Sequence, residues 1–134
     1  MNVGEHIVDR LHAWGVHRVY GYPGDGIGGV IAAVGHRADD IEFVQVRHEE
    51  TAGFAATADV KYGGSVLGCC VVTSGPGALH ALNGVYDAFL DRVPVVVVLG
   101  QTARVLPHQP GPEHRPDQPA RRGAAARRRR AERR

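Results

Sequence analysis

Between residues 3 and 14 the apolar side chains Val3, Ile7, Val8, Leu11 and Trp14 recur at helical spacing, with Asn2 placed to cap the start and Gly15 to stop the end. A short strand pattern, His17 to Tyr20, runs into Gly21-Tyr22-Pro23-Gly24-Asp25-Gly26, which breaks any regular element before a second helical stretch from Ile27 to about Gly35. A strand over Glu42 to Arg47 follows. The Ala-rich run Glu49 to Tyr62 reads as a helix ended by Gly63-Gly64, and Val66 to Thr73 as a near-continuous apolar strand. Ser74-Gly75-Pro76-Gly77 reads as a turn, Ala78 to about Leu90 as a helix, and Pro94 to Leu99, with four consecutive valines, as a strand covered on both faces. Strands alternating with helices, the strands apolar throughout, predict an α/β fold with a doubly wound parallel sheet. In such a sheet the loops that follow the strands gather along one edge, and ligands bind there. That edge carries residues 22–26, His48 and Glu49, residues 74–77, and Gly100 with Gln101.

The pattern ends after Gln101, and composition changes with it. Residues 1–103 hold 6 Lys+Arg against 11 Asp+Glu, a net charge of −5, whereas residues 104–134 hold 10 arginines against 3 acidic residues, a net +7. The overall +2 therefore conceals two unlike segments. Residues 104–134 also carry five prolines and no aromatic residue, so they are expected to form a disordered basic tail, separate from a domain over 1–103. Arginine, proline, alanine and glycine are what a GC-rich coding sequence yields in a wrong reading frame, and the tail is read as frameshifted sequence. The rival reading is a basic arm on nucleic acid through Arg127 to Arg130. It lacks the aromatic residues that would accompany such a surface, which argues against a nucleic-acid partner. No stretch approaches the roughly 18 apolar residues of a membrane span, and the N-terminus opens on an amphipathic pattern without a basic, apolar signal segment, so a cytoplasmic location and no membrane partner are expected.

Several residues invite chemistry. Cys69 and Cys70 are adjacent in an apolar strand, so their side chains point to opposite faces and serve packing. The eight histidines are scattered without the short spacings of zinc-ligand pairs, and no metal site is expected from this chain alone. Gly24-x-Gly26-x-x-Gly29, with Glu49 some twenty residues on, matches a dinucleotide-binding fingerprint on paper. Against it stand Pro23 just before the first glycine, a full helix ahead of the first strand, and the second Gly-Pro-Gly loop at residues 75–77. No glycine-rich stretch is followed by Lys-Ser or Lys-Thr, which excludes a phosphate-cradling nucleotide triphosphatase loop. Glu50 at a helix start complements the helix dipole. Glu49, at the strand edge and ahead of a helix that packs closely, is expected in a partly apolar setting where its carboxyl pKa rises and it exchanges a proton with a ligand nitrogen.

Four segments in order, Gly21-Tyr22-Pro23-Gly24, Arg47-His48-Glu49, Ser74-Gly75-Pro76-Gly77, and Val93-Pro94-Val95 leading to Gly100-Gln101, resemble the pyrimidine-binding domain of thiamine diphosphate enzymes of the pyruvate oxidase and acetolactate synthase type. The resemblance covers about residues 3 to 103. The stretch Gly77 to Asp87, with His80, is more similar to the pyruvate oxidase branch. The resemblance implies that Glu49 hydrogen-bonds a ring nitrogen of the aminopyrimidine and promotes its imino tautomer, that Pro23, Gly24, Thr73, Gly75 and His80 border the ring, and that the chemistry is decarboxylation of a 2-keto acid such as pyruvate, with the cofactor as electron sink. It also implies a separate domain or chain that binds the diphosphate through magnesium, a homo-oligomer in the complete enzyme, and FAD as an additional cofactor of an oxidase. The diphosphate motif, Gly-Asp-Gly with an asparagine roughly thirty residues on, is absent: Gly24-Asp25-Gly26 mimics its start, but the only asparagines are Asn2 and Asn83. Three readings follow: an incomplete pyrimidine-binding domain, inactive alone; the small subunit of a two-chain thiamine diphosphate enzyme; and a nicotinamide dinucleotide-binding module.

Overall fold

The computed structural model describes residues 1–101; the tail reading over 104–134 falls outside the described residues. The first helix, α1 (Val3–Ala13), starts on a capping box in which the Asn2 side chain accepts the Glu5 amide hydrogen and the Glu5 carboxylate accepts that of Asn2. It leads to β1 (Arg18–Gly21). The glycine loop is more ordered than the sequence predicts. Asp25–Ile27 form a 3-10 turn, and α2 (Gly28–Gly35) begins directly after it. Then come β2 (Glu42–Gln45), α3 (Glu49–Tyr62), β3 (Gly68–Val72), α4 (Pro76–Leu90) and β4 (Val95–Leu99). Pro76 and Gly77, predicted as turn, occupy the first turn of α4, where proline's missing N–H costs nothing.

All strands pair in parallel in the order β2-β1-β3-β4. The chain runs outward from β1 to β2 and then returns to place β3 on the other side of β1. The loops leaving β1 and β3 therefore open at the point where the winding reverses, which is the ligand position of this architecture. One layer of core lies under α1 and α2: Val8, Leu11, Val16, Val19, Val34, Cys69 and Val71, with Val96 and Val98 against them. The other lies under α3 and α4: Ala52, Ala56, Ala81, Cys70 and Val72, with Val95 and Val97. Cys69 and Cys70 thus sit on opposite faces, as strand geometry requires, and both are buried. β3 is the strand buried on both faces over its whole length. β4 has core on both faces, as expected, with Val96 and Val98 on one layer and Val95 and Val97 on the other; among the described residues it pairs only with β3, so it lies at the sheet edge and Val95 to Val98 are half-buried.

Candidate functional site: a carboxylate at the sheet edge

The loops after β1 and β3 pack against each other. A Cβ on Gly24 would lie 2.7 Å from the Thr73 Cβ, and one on Gly26 would lie 3.0 Å from Thr73 Oγ1. These glycines allow the two loops to close, which accounts for them without a pyrophosphate and removes the main support for the dinucleotide fingerprint. Gly100 completes the edge: its amide donates to the Val72 carbonyl at 2.9 Å, and a side chain there would meet the Gly26 carbonyl at 3.0 Å.

From the other side, α3 delivers Glu49 in its first turn. His48 caps that helix in an extended conformation, its Nδ1 accepting the Glu50 amide hydrogen at 3.3 Å. The α3 and α4 helices approach very closely at Gly53 and Gly84, where a Cβ on Gly84 would stand 2.3 Å from the Phe54 nitrogen. Thr57, buried in that crossing, donates its hydroxyl hydrogen between the Gly53 and Gly84 carbonyls at 2.9 and 3.2 Å. This approach brings the first turns of the two helices together. A Cβ on Gly77 would lie 3.1 Å from Glu49 Oε1 and 3.0 Å from Thr73 Cγ2, and His80 Nδ1 stands 3.1 Å from Glu49 Oε2. The Glu49 side chain is only 14% exposed.

The structure thus gathers Gly24, Thr73, Glu49 and His80 of the predicted set. Pro23 is exposed and lines, with the neighbouring Gly24, a depression formed by Asp25, Gly28 and Ile31 rather than by Glu49 or His80. Gly75 caps α4 with φ +68°, a conformation that favours glycine, and the space beside it is open. The prediction of a raised Glu49 pKa is corrected. The carboxyl is held below the ordinary glutamate value, first by a hydrogen bond from its own backbone amide and then by the His80 hydrogen bond and the nearby His80 and His48 rings; desolvation acts in the opposite direction and loses. Sequence reasoning placed His48 and Gly77 on the ligand edge but not their contacts: the His48 ring stacks on His80 with centroids 4.6 Å apart, and the missing side chain of Gly77 leaves room for the carboxylate. A histidine immediately before two acidic helix-start residues was the available signal for the first. The contact of Gly77 with Glu49 has no local signal.

A second feature was also missed. Beside this cradle, α3 and α4 leave an apolar groove of about 820 Å³, lined by Phe54, Leu82, Val85, Tyr86, Phe89 and Leu90. Leu79, Tyr86, Phe89 and Leu90 are each more than 60% exposed, a contiguous apolar face that isolated soluble domains rarely present.

A small parallel α/β domain with a half-buried carboxylate at its topological switch point defines a class of ligand-binding half-sites. The sequence identifies which one. Residues 1–120 match the family described as thiamine pyrophosphate enzyme, N-terminal TPP binding domain, and the chain belongs to it; thiamine pyrophosphate and thiamine diphosphate are the same compound. The chain is 44% identical over 98 residues to the pyruvate oxidase of Lactiplantibacillus plantarum, covering 73% of this chain and 16% of that one. It is 41% identical over 97 residues to the acetolactate synthase large subunit of Haemophilus influenzae (72% and 17%) and 40% identical over 103 residues to the acetolactate synthase isozyme 2 large subunit of Escherichia coli (77% and 18%). The chain therefore spans less than a fifth of the length of these relatives. No helix among the described residues is long and apolar enough to cross a membrane.

Proposed function

We propose that this chain supplies the pyrimidine half of a thiamine diphosphate site in an enzyme that decarboxylates a 2-keto acid such as pyruvate, and that Glu49 is its proton-handling residue. The observation that carries the reading is the placement of Glu49: mostly buried at the switch-point edge, with one oxygen against Gly77 and the other against His80. The donor set fits an aminopyrimidine. Thr73 and the glycines offer a narrow wall for a flat ring, and a single carboxylate meets a single ring nitrogen. When bound, the cofactor supplies the nucleophilic carbon and the electron sink of decarboxylation. Glu49 holds or releases the proton at the ring nitrogen, and the His80 Nδ1 contact fixes which carboxylate oxygen faces the ring. Gly24 and Thr73 form the wall, with Pro23 and Gly75 shaping the two loops that carry it.

The diphosphate and its magnesium belong, in this reading, to another domain or chain, and the apolar face of α4 is where such a partner sits. Alone, the chain binds the cofactor weakly and turns over nothing. Identity to a pyruvate oxidase and the histidine at position 80 favour the oxidase branch, in which FAD joins the cofactor set and the complete enzyme is a homo-oligomer. Thermal unfolding of the chain with millimolar thiamine diphosphate, and separately with NAD, tests the proposal. A rise with thiamine diphosphate that is lost in Glu49→Gln is expected. A rise with NAD alone would overturn it.

A further inference from the structure

We infer that His48, Glu49 and His80 together form a binding site for a first-row transition-metal dication of the zinc type, at the mouth of the carboxylate cradle. The sequence offers no short-spaced ligand pair, and the site exists only because α3 and α4 meet. One ligand atom from each of the three residues lies within 4.8 Å of the other two. Glu49 Oε2 and His80 Nδ1 are already 3.1 Å apart. Two donors bound at 2.0–2.1 Å to a tetrahedral zinc ion lie about 3.3 Å apart, so the separation of this pair already suits an ion seated to one side of the line between them, reached by turning the imidazole rather than by moving the helices. His48 closes the third position by approaching at most about 1.5 Å, the difference between the 4.8 Å limit and that spacing.

The donor chemistry selects the ion. Two imidazole nitrogens and one carboxylate oxygen suit zinc, copper, nickel or cobalt and disfavour magnesium and calcium, which prefer oxygen ligands. The site is accessible, since the His80 side chain is 47% exposed, while Glu49 is anchored at 14%. Besides the stack of the His48 and His80 rings, which must open for both in-plane lone pairs to meet one ion, two local contacts oppose binding. The His48 ring gives up its 3.3 Å acceptor bond to the Glu50 amide if Nδ1 is the ligand, and the ion must displace the hydrogen between His80 and Glu49. Both are weak or directly replaced, and the negative charge of Glu49 favours a dication. Three protein ligands leave one position for water, the arrangement of an open rather than a closed zinc site.

The consequence for the cradle rests on the function proposed above: a carboxylate engaged by a metal cannot face a pyrimidine nitrogen, so metal and aminopyrimidine exclude each other. Calorimetric titration of the metal-free full chain with Zn²⁺ in a non-chelating buffer tests the site. One ion per chain is expected, weakened at least about tenfold in His80→Gln and in Glu49→Gln. The double variant His48→Gln/His80→Gln keeps six other histidines and so measures background binding. Binding in that variant equal to the wild type would overturn the inference. A second measurement covers the case in which the variant does not fold: in the wild type, substoichiometric Co²⁺ should broaden the ring signals of His48 and His80 before those of any other histidine, and broadening elsewhere first would refute the site. Competition is read with thiamine, which carries the aminopyrimidine without a diphosphate that would itself chelate the ion. If Zn²⁺ binds as expected and thiamine binding is unchanged, the metal site stands and the assignment of Glu49 to the pyrimidine falls.

Discussion

Gly84→Ala places one methyl group into the closest contact of the fold, and its effect follows from the structure with opposing terms of known size. In an exposed helix, replacing glycine by alanine gains about 1 kcal/mol from propensity. Here the new Cβ would lie 2.3 Å from the Phe54 nitrogen and 2.4 Å from the Gly53 carbonyl carbon, against ordinary contacts above 3.4 Å. Both atoms are backbone, so no rotamer relieves the clash, and the helices must separate by about 1 Å. Overpacking of this kind costs about 1–3 kcal/mol or more. Separation also stretches the 3.2 Å bond from the Thr57 hydroxyl to the Gly84 carbonyl, the one of its two contacts that crosses between the helices, worth about 1 kcal/mol. The propensity gain is outweighed, and a net loss of about 2 kcal/mol is expected. At about 4–8 °C per kcal/mol for a domain of this size, the Tm falls by about 8–16 °C. Urea denaturation followed by helical circular dichroism measures it, with the midpoint lowered and the slope unchanged. Gly29→Ala in α2 is the control: nothing lies within 4 Å of its Cβ, so it should be neutral or stabilising. A Gly84→Ala protein as stable as Gly29→Ala would refute the close crossing.

Three further outcomes are expected. Because Glu49 is held below the ordinary glutamate range in the free chain, binding a neutral aminopyrimidine through a shared proton should take up a proton near neutral pH; the calorimetric heat of thiamine binding should then vary with the ionisation enthalpy of the buffer, and an invariant heat would contradict it. The same depression stabilises the fold at pH values above the unfolded glutamate pKa and is lost as pH falls through the lower folded value, so the stability deficit of Glu49→Gln should be larger at pH 7 than in acid, as urea midpoints at the two pH values would show. Burial pushes the Cys69 thiol up to about 12 and the Cys70 thiol up to about 11, so neither should react with a thiol reagent at pH 8 until the chain is unfolded in urea; rapid native labelling would contradict their burial.

Much of the fold was legible because its signals are local. The helix over Glu49–Tyr62 matched its predicted limits residue for residue, since an Ala-rich run flanked by a strand edge and Gly63-Gly64 leaves little choice. The order of strands and helices, and hence the edge on which Glu49 sits, followed from the alternation of patterns. The four valines of β4 gave a strand with core on both faces, but an apolar run reads the same whether one of its edges is paired or both. Strand identity is local, but position in the sheet is not. The Glu49 pKa was misread for a related reason. Burial was anticipated from its place before a close-packed helix, and burial alone raises a carboxyl pKa. The opposing hydrogen bonds come from its own amide and from a ring 31 residues away, and the second of these is invisible until α3 and α4 are superimposed in space.

The residues that bring Glu49 to His80 carry no functional chemistry of their own. Gly53 and Ala56 on α3 face Ala81 and Gly84 on α4 or the core beneath them; a Cβ on Gly53 would already stand 2.9 Å from the Ala81 carbonyl. With no bulk between them, the helices run close enough that a carboxylate in the first turn of one reaches an imidazole in the second turn of the other. Any larger residue at Gly53 or Gly84 moves both functional groups at once while leaving each in place on its own helix. The proton affinity of Glu49, its orientation toward a ligand and its capacity to share a metal with His48 and His80 are therefore all set by the spacing of two helices. That spacing is written in small residues about one helical turn beyond Glu49 and His80, on two helices that meet only in space, which is why motif spacing locates Glu49 but cannot give its partners.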